Sequence, residues 1–186
     1  MYTTSDFKKG LKIMLKGEPY VILDFQHVKP GKGNQFTRTK MSNLITGVLL
    51  DMTIRSGEKF AIPDIEYKNL SYIYKDSDSF YFMDFKSFET LPISYKIIGK
   101  NQYYLIDSLE VTACFFNNEV VSIEWPKSII IGIKDTEPGF KGNTVSNTTK
   151  PAVTETGLSL QVPLHINKGD KIKINTKEGT YIERVK

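Results

Sequence analysis

The chain has 186 residues, of which 40% are hydrophobic and 25% charged, and these globular proportions argue against a disordered or fibrous protein. Its longest apolar runs have the length of strands and fall far short of the ~20 residues that a membrane-spanning helix needs. Lys and Arg outnumber Asp and Glu by ten to five in residues 1–63 and by nine to six in 128–186, but number six against ten in 64–127. This alternation predicts two basic ends that face RNA, with an acidic spacer between them.

The cysteine and histidine content predicts a protein of a reducing compartment without a metal site. Cys114 is the single cysteine, so no internal disulfide can form, and its apolar surroundings predict a small buried side chain. His27 and His165 lie far apart with no ligand spacing, so we expect no metal and no other cofactor. The N-terminus has neither a basic start nor an apolar stretch, so we expect no signal peptide and a cytoplasmic location.

Short runs of alternating apolar and β-branched residues, punctuated by Gly, Asn, Asp and Pro, predict an all-β protein built from small barrels. Two proline-containing breaks, at Ala61–Asp64 and Glu124–Lys127, coincide with the changes in charge. We therefore predict three domains, which cover residues 1–63, 64–127 and 128–186.

The first domain is predicted to be a compact barrel, which resembles the SH3-like domains of translation proteins. Its strands are expected at 11–15, 20–28, 35–43 and 47–55. Between the two long strands lies Lys29–Asn34, where Pro30 fixes one φ and Gly31 and Gly33 permit positive φ. This composition predicts a hairpin loop.

An oligonucleotide-binding (OB) barrel, which has five short strands, would suit the second and third domains. In the second domain we expect hairpins formed by 70–74 with 80–83 and by 110–116 with 119–124, and a short helix within 85–95. Its aromatic residues suggest either a base-stacking platform or cross-strand packing, and the acidic charge favours packing. In the third domain the expected strands are 129–134, 158–163, 170–175 and 180–185.

The sequence contains no constellation of residues typical of an enzyme. Neither Gly-Lys pair belongs to a phosphate-binding loop, and no serine lies in a nucleophile elbow. The carboxylate pairs Asp76/Asp78 and Asp135/Glu137 are predicted to be solvated turn residues. We therefore predict no catalytic residue.

Lys32 is the residue whose context is unusual, because it is flanked by glycines at the tip of two long strands. A loop of six residues extends ~10 Å beyond the sheet, and the lysine side chain adds to that reach. Lys29, Arg38 and Lys40 are close in sequence and can meet phosphates. From composition alone, an exposed hairpin with a solvated lysine remains the alternative.

Several collinear motifs resemble the bacterial elongation factor P family. His27–Gly33 is very similar to the tip loop of that family, and Asp135–Gly142 resembles the motif at the start of its third domain. The segments 150–170 and 179–185 match the C-terminal signature and the ending of the family. These motifs follow the family order and span nearly the whole chain.

The resemblance implies an SH3-like (KOW-like) domain followed by two OB-type domains, arranged in an L like a tRNA. It implies a monomeric, non-membrane factor that binds both ribosomal subunits beside peptidyl-tRNA, between the P and E sites. Such a factor speeds peptide-bond formation at consecutive prolines. The loop Lys29, Pro30, Gly31, Lys32 and Gly33 would reach toward the peptidyl-transferase centre, and Lys32 would be the site extended by a lysine-modifying enzyme.

One departure concerns Gly142-Asn143-Thr144, where the family commonly has Gly-Asp-Thr, a motif associated with recognising the tRNA elbow. Asn keeps a carbonyl acceptor, loses the charge and gains an amide donor, so we expect altered tRNA discrimination. Three alternatives remain: an elongation factor P-like paralogue, a general RNA-binding or assembly protein, and an enzyme with its site in an OB cleft. The RNA-binding alternative predicts that Lys32 matters no more than Lys29 or Lys40.

Overall fold

A computed structural model describes residues 1–138 and 149–185, and within them the chain is mostly β-strand. The strands are β1 (Tyr2–Thr3), β2 (Lys12–Leu15), β3 (Glu18–Val28), β4 (Phe36–Asn43), β5 (Leu49–Arg55), β6 (Lys59–Phe60), β7 (Ile65–Lys75), β8 (Ser79–Asp84), β9 (Thr90–Ser94), β10 (Glu110–Phe116), β11 (Glu119–Glu124), β12 (Ser128–Thr136), β13 (Thr149–Thr154), β14 (Ser159–Pro163), β15 (Lys171–Asn175) and β16 (Thr180–Val185). In these two described stretches, the helices are α1 (Tyr95–Ile98) and the 3-10 helices Thr4–Asp6 and Gly99–Tyr104. None of these helices has the length and apolar character that a membrane span requires.

The chain packs as two compact units, Met1–Tyr67 with Ala113–Ser122 and Lys68–Thr112 with Ile123–Lys186. Strand β7 runs from the first unit into the second, so the units do not coincide with the three sequence segments predicted above.

In the first unit, β2, β3, β4 and β5 form an antiparallel meander, and β1 pairs with β6. Alternate residues of these strands face a common core because side chains alternate between the two faces of a strand. The core side chains are Phe7, Leu11, Ile13, Leu15, Ile22, Met41, Ile54 and Phe60. The four strands predicted for this region are confirmed.

The second sheet has the strand order β11-β10-β7-β8-β9, with both predicted hairpins present. The turn at Asn117 and Asn118 has φ values of 49° and 66°, a conformation that Asn tolerates better than most residues. The Tyr74 and Tyr81 rings stack with centroids 4.5 Å apart, which is the cross-strand packing favoured by the sequence. Cys114 is buried, as predicted.

The helix predicted within 85–95 is wrong. A turn follows β8, closed by the Phe88 amide donating to the Asp84 carbonyl, and residues 90–94 form strand β9. Pro92 is tolerated because β9 is an edge strand, where one side of the backbone needs no partner. The helix α1 begins only at Tyr95.

The third sheet has the order β14-β13-β12-β15-β16 and lies within the second unit. Ile129, Ile131 and Ile133 of β12 are buried, in line with the alternation of that strand. Strand β13 was not predicted, because Pro151 interrupts its pattern and removes a backbone donor. Pro151 nevertheless pairs with Gln161 of β14.

Gly132 of β12 is buried next to Glu155, which follows β13. The Glu155 amide donates to the Gly132 carbonyl, and a Cβ atom at position 132 would collide with the Glu155 carboxylate. The absence of a side chain at position 132 therefore leaves room for the end of the Glu155 side chain.

Candidate functional site

The loop that carries Lys32 joins β3 and β4, which pair in antiparallel register from Tyr20↔Asn43 to Val28↔Phe36. The loop therefore begins at residue 29 and ends at residue 35, one residue later than the sequence indicated. The hairpin loop is confirmed, and β3 with its 11 residues makes a long support for the tip.

All five residues of the tip, from Lys29 to Gly33, are exposed. Gly33 has φ of 113°, a conformation that side chains other than glycine rarely adopt. Gly31 has open space where a Cβ atom would stand. The Lys32 ammonium has no hydrogen-bond or ion-pair partner in the described parts of the chain, so its position is set by solvent and by the loop backbone.

The base of the loop is held by a contact between facing strands. His27 of β3 and Thr37 of β4 are paired in register, and Nδ1 of His27 lies 2.8 Å from Oγ1 of Thr37. The His27 ring also meets the Phe25 ring edge-on, at 5.3 Å between centroids. These contacts anchor the strands next to the loop and leave the tip itself unconstrained.

Arg38 and Lys40 lie on the exposed face of the same sheet. They border a groove of about 380 Å³, lined by Asp24, Phe25, Gln26, Arg38, Thr39, Lys40, Asp51, Met52 and Thr53. In register, Lys40 stands between Asp24 and Asp51, and Arg38 stands between Gln26 and Thr53.

The charges on this face are only partly compensated. Lys9 pairs with Asp24 at 3.0 Å, and this hydrogen bond holds the pKa of the Asp24 carboxyl below its usual value. Lys40 forms no direct ion pair with a described residue, and the Arg38 guanidinium lies 6.0 Å from the Phe36 ring. The face therefore presents two cations suited to phosphate oxygens. Both lie on β4, the strand that follows the Lys32 loop and begins at Phe36.

Gly142, Asn143 and Thr144, the second predicted RNA-contacting set, lie outside the described residues. Next to that segment, Lys150 is only 5% exposed, and its Nζ donates to the Glu137 carbonyl at 2.6 Å. Sequence reasoning missed this buried lysine, because lysine is among the residue types least often buried and nothing near it signals burial.

The structure places the carboxylate pairs Asp76/Asp78 and Asp135/Glu137 in different settings, one in a loop and one at the end of a strand. Asp76 lies in the β7–β8 loop, where its carboxylate accepts hydrogen bonds from the Asp78 and Ser79 amides and from the Tyr81 hydroxyl. The prediction that Asp135 lies in a turn is wrong, since it belongs to β12 and pairs with Val153. Within residues 1–138 and 149–185, no group of three His, Cys, Asp or Glu side chains is placed to hold a metal ion.

Family models match the chain along nearly its full length. The elongation factor P (EF-P) KOW-like domain matches residues 3–60, the elongation factor P OB domain matches 65–123, and the elongation factor P C-terminal model matches 129–184. These matches confirm the predicted all-β fold with a KOW-like N-terminal domain and an OB-type domain after it.

Relatives that match over their full length carry the same name. The chain is 52% identical over 185 residues to "Elongation factor P" of Bdellovibrio bacteriovorus, which covers 100% of this chain and 98% of the relative. It is 46% identical over 186 residues to "Elongation factor P" of Maridesulfovibrio salexigens, with 100% of both chains covered.

A solved structure of eukaryotic translation initiation factor 5A from Methanococcus jannaschii superposes with a TM-score of 0.53 at 22% identity. The match covers 67% of this chain and 93% of that one, and supports the fold.

Proposed function

The chain belongs to the elongation factor P family, and from that premise we propose that it binds the ribosome beside peptidyl-tRNA, between the P and E sites. There it promotes peptide-bond formation and relieves stalling at consecutive prolines. Its partners are both ribosomal subunits, P-site peptidyl-tRNA and, where Lys32 is extended, a lysine-modifying enzyme.

The observation that carries the proposal is the isolation of Lys32. It stands at the tip of a long two-stranded ribbon, is exposed, and has no partner among the described residues. Lys40 of β4 also lacks an ion pair with any described residue, so what distinguishes Lys32 is its place on the loop, beyond the paired strands. An unengaged cation on a reaching loop is suited to act on another molecule.

We propose a positional mechanism that needs no acid or base from the protein. Proline is a poor nucleophile and constrains the nascent chain, so the acceptor end of the tRNA samples reactive geometry rarely. A factor lodged against that tRNA raises the rate by restricting its motion, which is the entropic route to catalysis. Lys32 supplies the contact nearest to the reacting end.

The remaining sites are assigned to RNA contacts. Lys29, Arg38 and Lys40 are proposed to meet backbone phosphates, supported by their exposure and by the incomplete neutralisation of this face. Gly142, Asn143 and Thr144 are proposed to meet tRNA, on the strength of the family resemblance.

We also propose the domain limits 1–63, 64–127 and 128–186. Their support is that the intervals between the family matches, 60–65 and 123–129, contain Pro63 and Pro126.

The test is translation of a reporter with a run of prolines, in a system depleted of the endogenous factor. We expect Lys32→Ala to abolish most of the rescue, while Lys29→Ala and Lys40→Ala, which remove the same charge nearby, retain most of it. Ribosome binding measured by sedimentation should weaken only modestly for Lys32→Ala. Equal loss of rescue in all three variants would instead indicate a general RNA-binding protein.

A further inference from the structure

The outer face of the second sheet carries an aromatic row that the proposed function leaves unused. Tyr74 of β7, Tyr81 of β8 and Pro92 of β9 are successive cross-strand partners. The Tyr74 and Tyr81 rings are nearly parallel, with an interplanar angle of 11°. Tyr74 is still 50% exposed, although the Tyr81 ring stacks on it.

A carboxylate-bearing loop is fixed beside this row. Oδ2 of Asp76 accepts a hydrogen bond from the Tyr81 hydroxyl at 2.8 Å, and the Tyr95 hydroxyl donates to the Asp76 carbonyl at 2.9 Å. The amides of Asp78 and Ser79 both donate to Oδ1 of Asp76. The loop is therefore ordered against the aromatic row without any ligand.

The Asp78 carboxylate is the group on this loop that remains available. It has no hydrogen-bond or ion-pair partner in the stretches that the structure describes. Its charge reaches the row: the pKa of the Tyr81 hydroxyl is raised, chiefly by the hydrogen bond to Asp76 and also by the Asp78 carboxylate. The basic residue of the same hairpin, Lys75, has its ammonium 5.9 Å from the Phe80 ring.

The row begins on β7 and continues onto β8 and β9, the second and third strands of this domain, where OB barrels hold their ligands. Residues 64–127 contain ten acidic and six basic residues. This segment, with the carboxylates of Asp76 and Asp78, would therefore repel the phosphates of a nucleic acid. A guanidinium group suits both the tyrosine rings and the carboxylates, because it is planar, stacks on aromatic rings and pairs with carboxylates.

We propose that this face docks an arginine-bearing segment of a basic partner protein, with the guanidinium stacked on the exposed Tyr74 ring and paired with Asp78. Tyr74, Tyr81 and Pro92 give an extended segment an apolar strip across three strands. The interaction does not involve Lys32, so it stands or falls separately from the function proposed above.

The test uses the full chain and fluorescence anisotropy at low ionic strength. The probes are a fluorescein-labelled peptide of alternating arginine and glycine, the same peptide with lysine for arginine, and single-stranded oligouridine. We expect the arginine peptide to bind about fivefold more tightly than the lysine peptide, because lysine lacks the planar fork. Oligouridine should not bind through this face.

Three variants locate the site. Tyr74→Leu should weaken binding of the arginine peptide about fivefold, and Asp78→Asn about threefold. Glu89→Gln removes the same charge from the β8–β9 turn, at the other end of β8, and should change affinity less than about twofold. Tyr74→Trp should retain or tighten binding, since indole is the better ring for a cation, and it guards against a fold defect in Tyr74→Leu.

Four results would overturn the proposal. The first is no binding of the arginine peptide up to about 1 mM, and the second is binding that Tyr74→Leu does not weaken. The third is an equal loss of affinity for Glu89→Gln and Asp78→Asn, and the fourth is binding of oligouridine that depends on Tyr74. The last result would identify the face as a nucleic-acid platform instead.

Discussion

Two threonines on the inner face of the β3–β4–β5 sheet provide a test of how the core accommodates polar groups. Thr39 is 2% exposed, and its Oγ1 has no hydrogen-bond partner among the residues that the structure describes. Thr37 is 1% exposed, but its Oγ1 lies 2.8 Å from Nδ1 of His27. The same change, Thr→Val, keeps the shape at both positions and removes a hydroxyl that is satisfied at one and unsatisfied at the other.

A buried hydroxyl without a partner costs about 1–3 kcal/mol of desolvation, and a methyl group in its place removes that cost. We therefore expect Thr39→Val to stabilise the sheet by about 1 kcal/mol. Thr37→Val loses one hydrogen bond and should destabilise by about 1 kcal/mol, since the exposed His27 ring can turn to water.

The measurement is native-state hydrogen exchange of amides in β3, β4 and β5, which reports the free energy of opening for this sheet. The single tryptophan, Trp125, lies in the other unit, so its fluorescence is not a probe of this one. Opposite signs for the two variants support the reasoning. If Thr39→Val destabilises as Thr37→Val does, then the Thr39 hydroxyl has a partner, such as a buried water, and the argument fails.

Four further predictions concern other parts of the chain. Lys32→Ala should leave the free energy of unfolding within about 0.5 kcal/mol of the unaltered protein, since an exposed loop residue contributes little; a loss of several kcal/mol in thermal unfolding would make the lysine structural. Gly132→Ala should change the free energy of unfolding by less than about 1 kcal/mol, because the added methyl meets only the far end of the exposed Glu155 side chain, which can turn away; a loss of several kcal/mol in thermal unfolding would show that this carboxylate is held in place. The Lys86 amide donates to the Asp84 carboxylate, and this hydrogen bond is the chief cause of the lowered pKa of that carboxyl. The stability that Asp84 contributes is therefore complete above the unfolded pKa of 3.8 and is lost as pH falls through the lower folded pKa. Asp84→Asn should flatten the acid side of a plot of unfolding free energy against pH. Asn143→Asp should change the preference between proline tRNA and a D-arm variant by more than it changes ribosome affinity, since one base contact contributes ~1–3 kcal/mol; equal responses of both proteins would exclude tRNA recognition at this position.

Much of the fold was predictable because most strands here bury one face only. Ile13 and Leu15 of β2 and Ile172 and Ile174 of β15 alternate with exposed or half-buried neighbours, and this period of two is visible without tertiary information. The Lys32 loop was predictable for a different reason, since Pro30 and Gly33 determine the local backbone themselves.

The errors arose where the neighbours of a residue decide its state. Pro92 and Pro151 are strand residues because of the places of β9 and β13 in their sheets, which local sequence does not encode. Asp135 was assigned to a turn for its polarity, but its backbone pairs with Val153. The buried Lys150 ammonium donates to the Glu137 carbonyl, a contact between residues thirteen positions apart that local sequence does not encode.

The ribbon that ends in Lys32 also sets how often its ammonium meets a target. A charge confined to a sphere of radius ~10 Å at the loop tip has an effective concentration of about 0.4 M once the rest of the protein is bound. At that concentration, a contact with a dissociation constant near 0.1 M is occupied most of the time, although it would add little to the affinity of the whole protein. The tip can therefore bind a target weakly and release it while the rest of the protein stays bound.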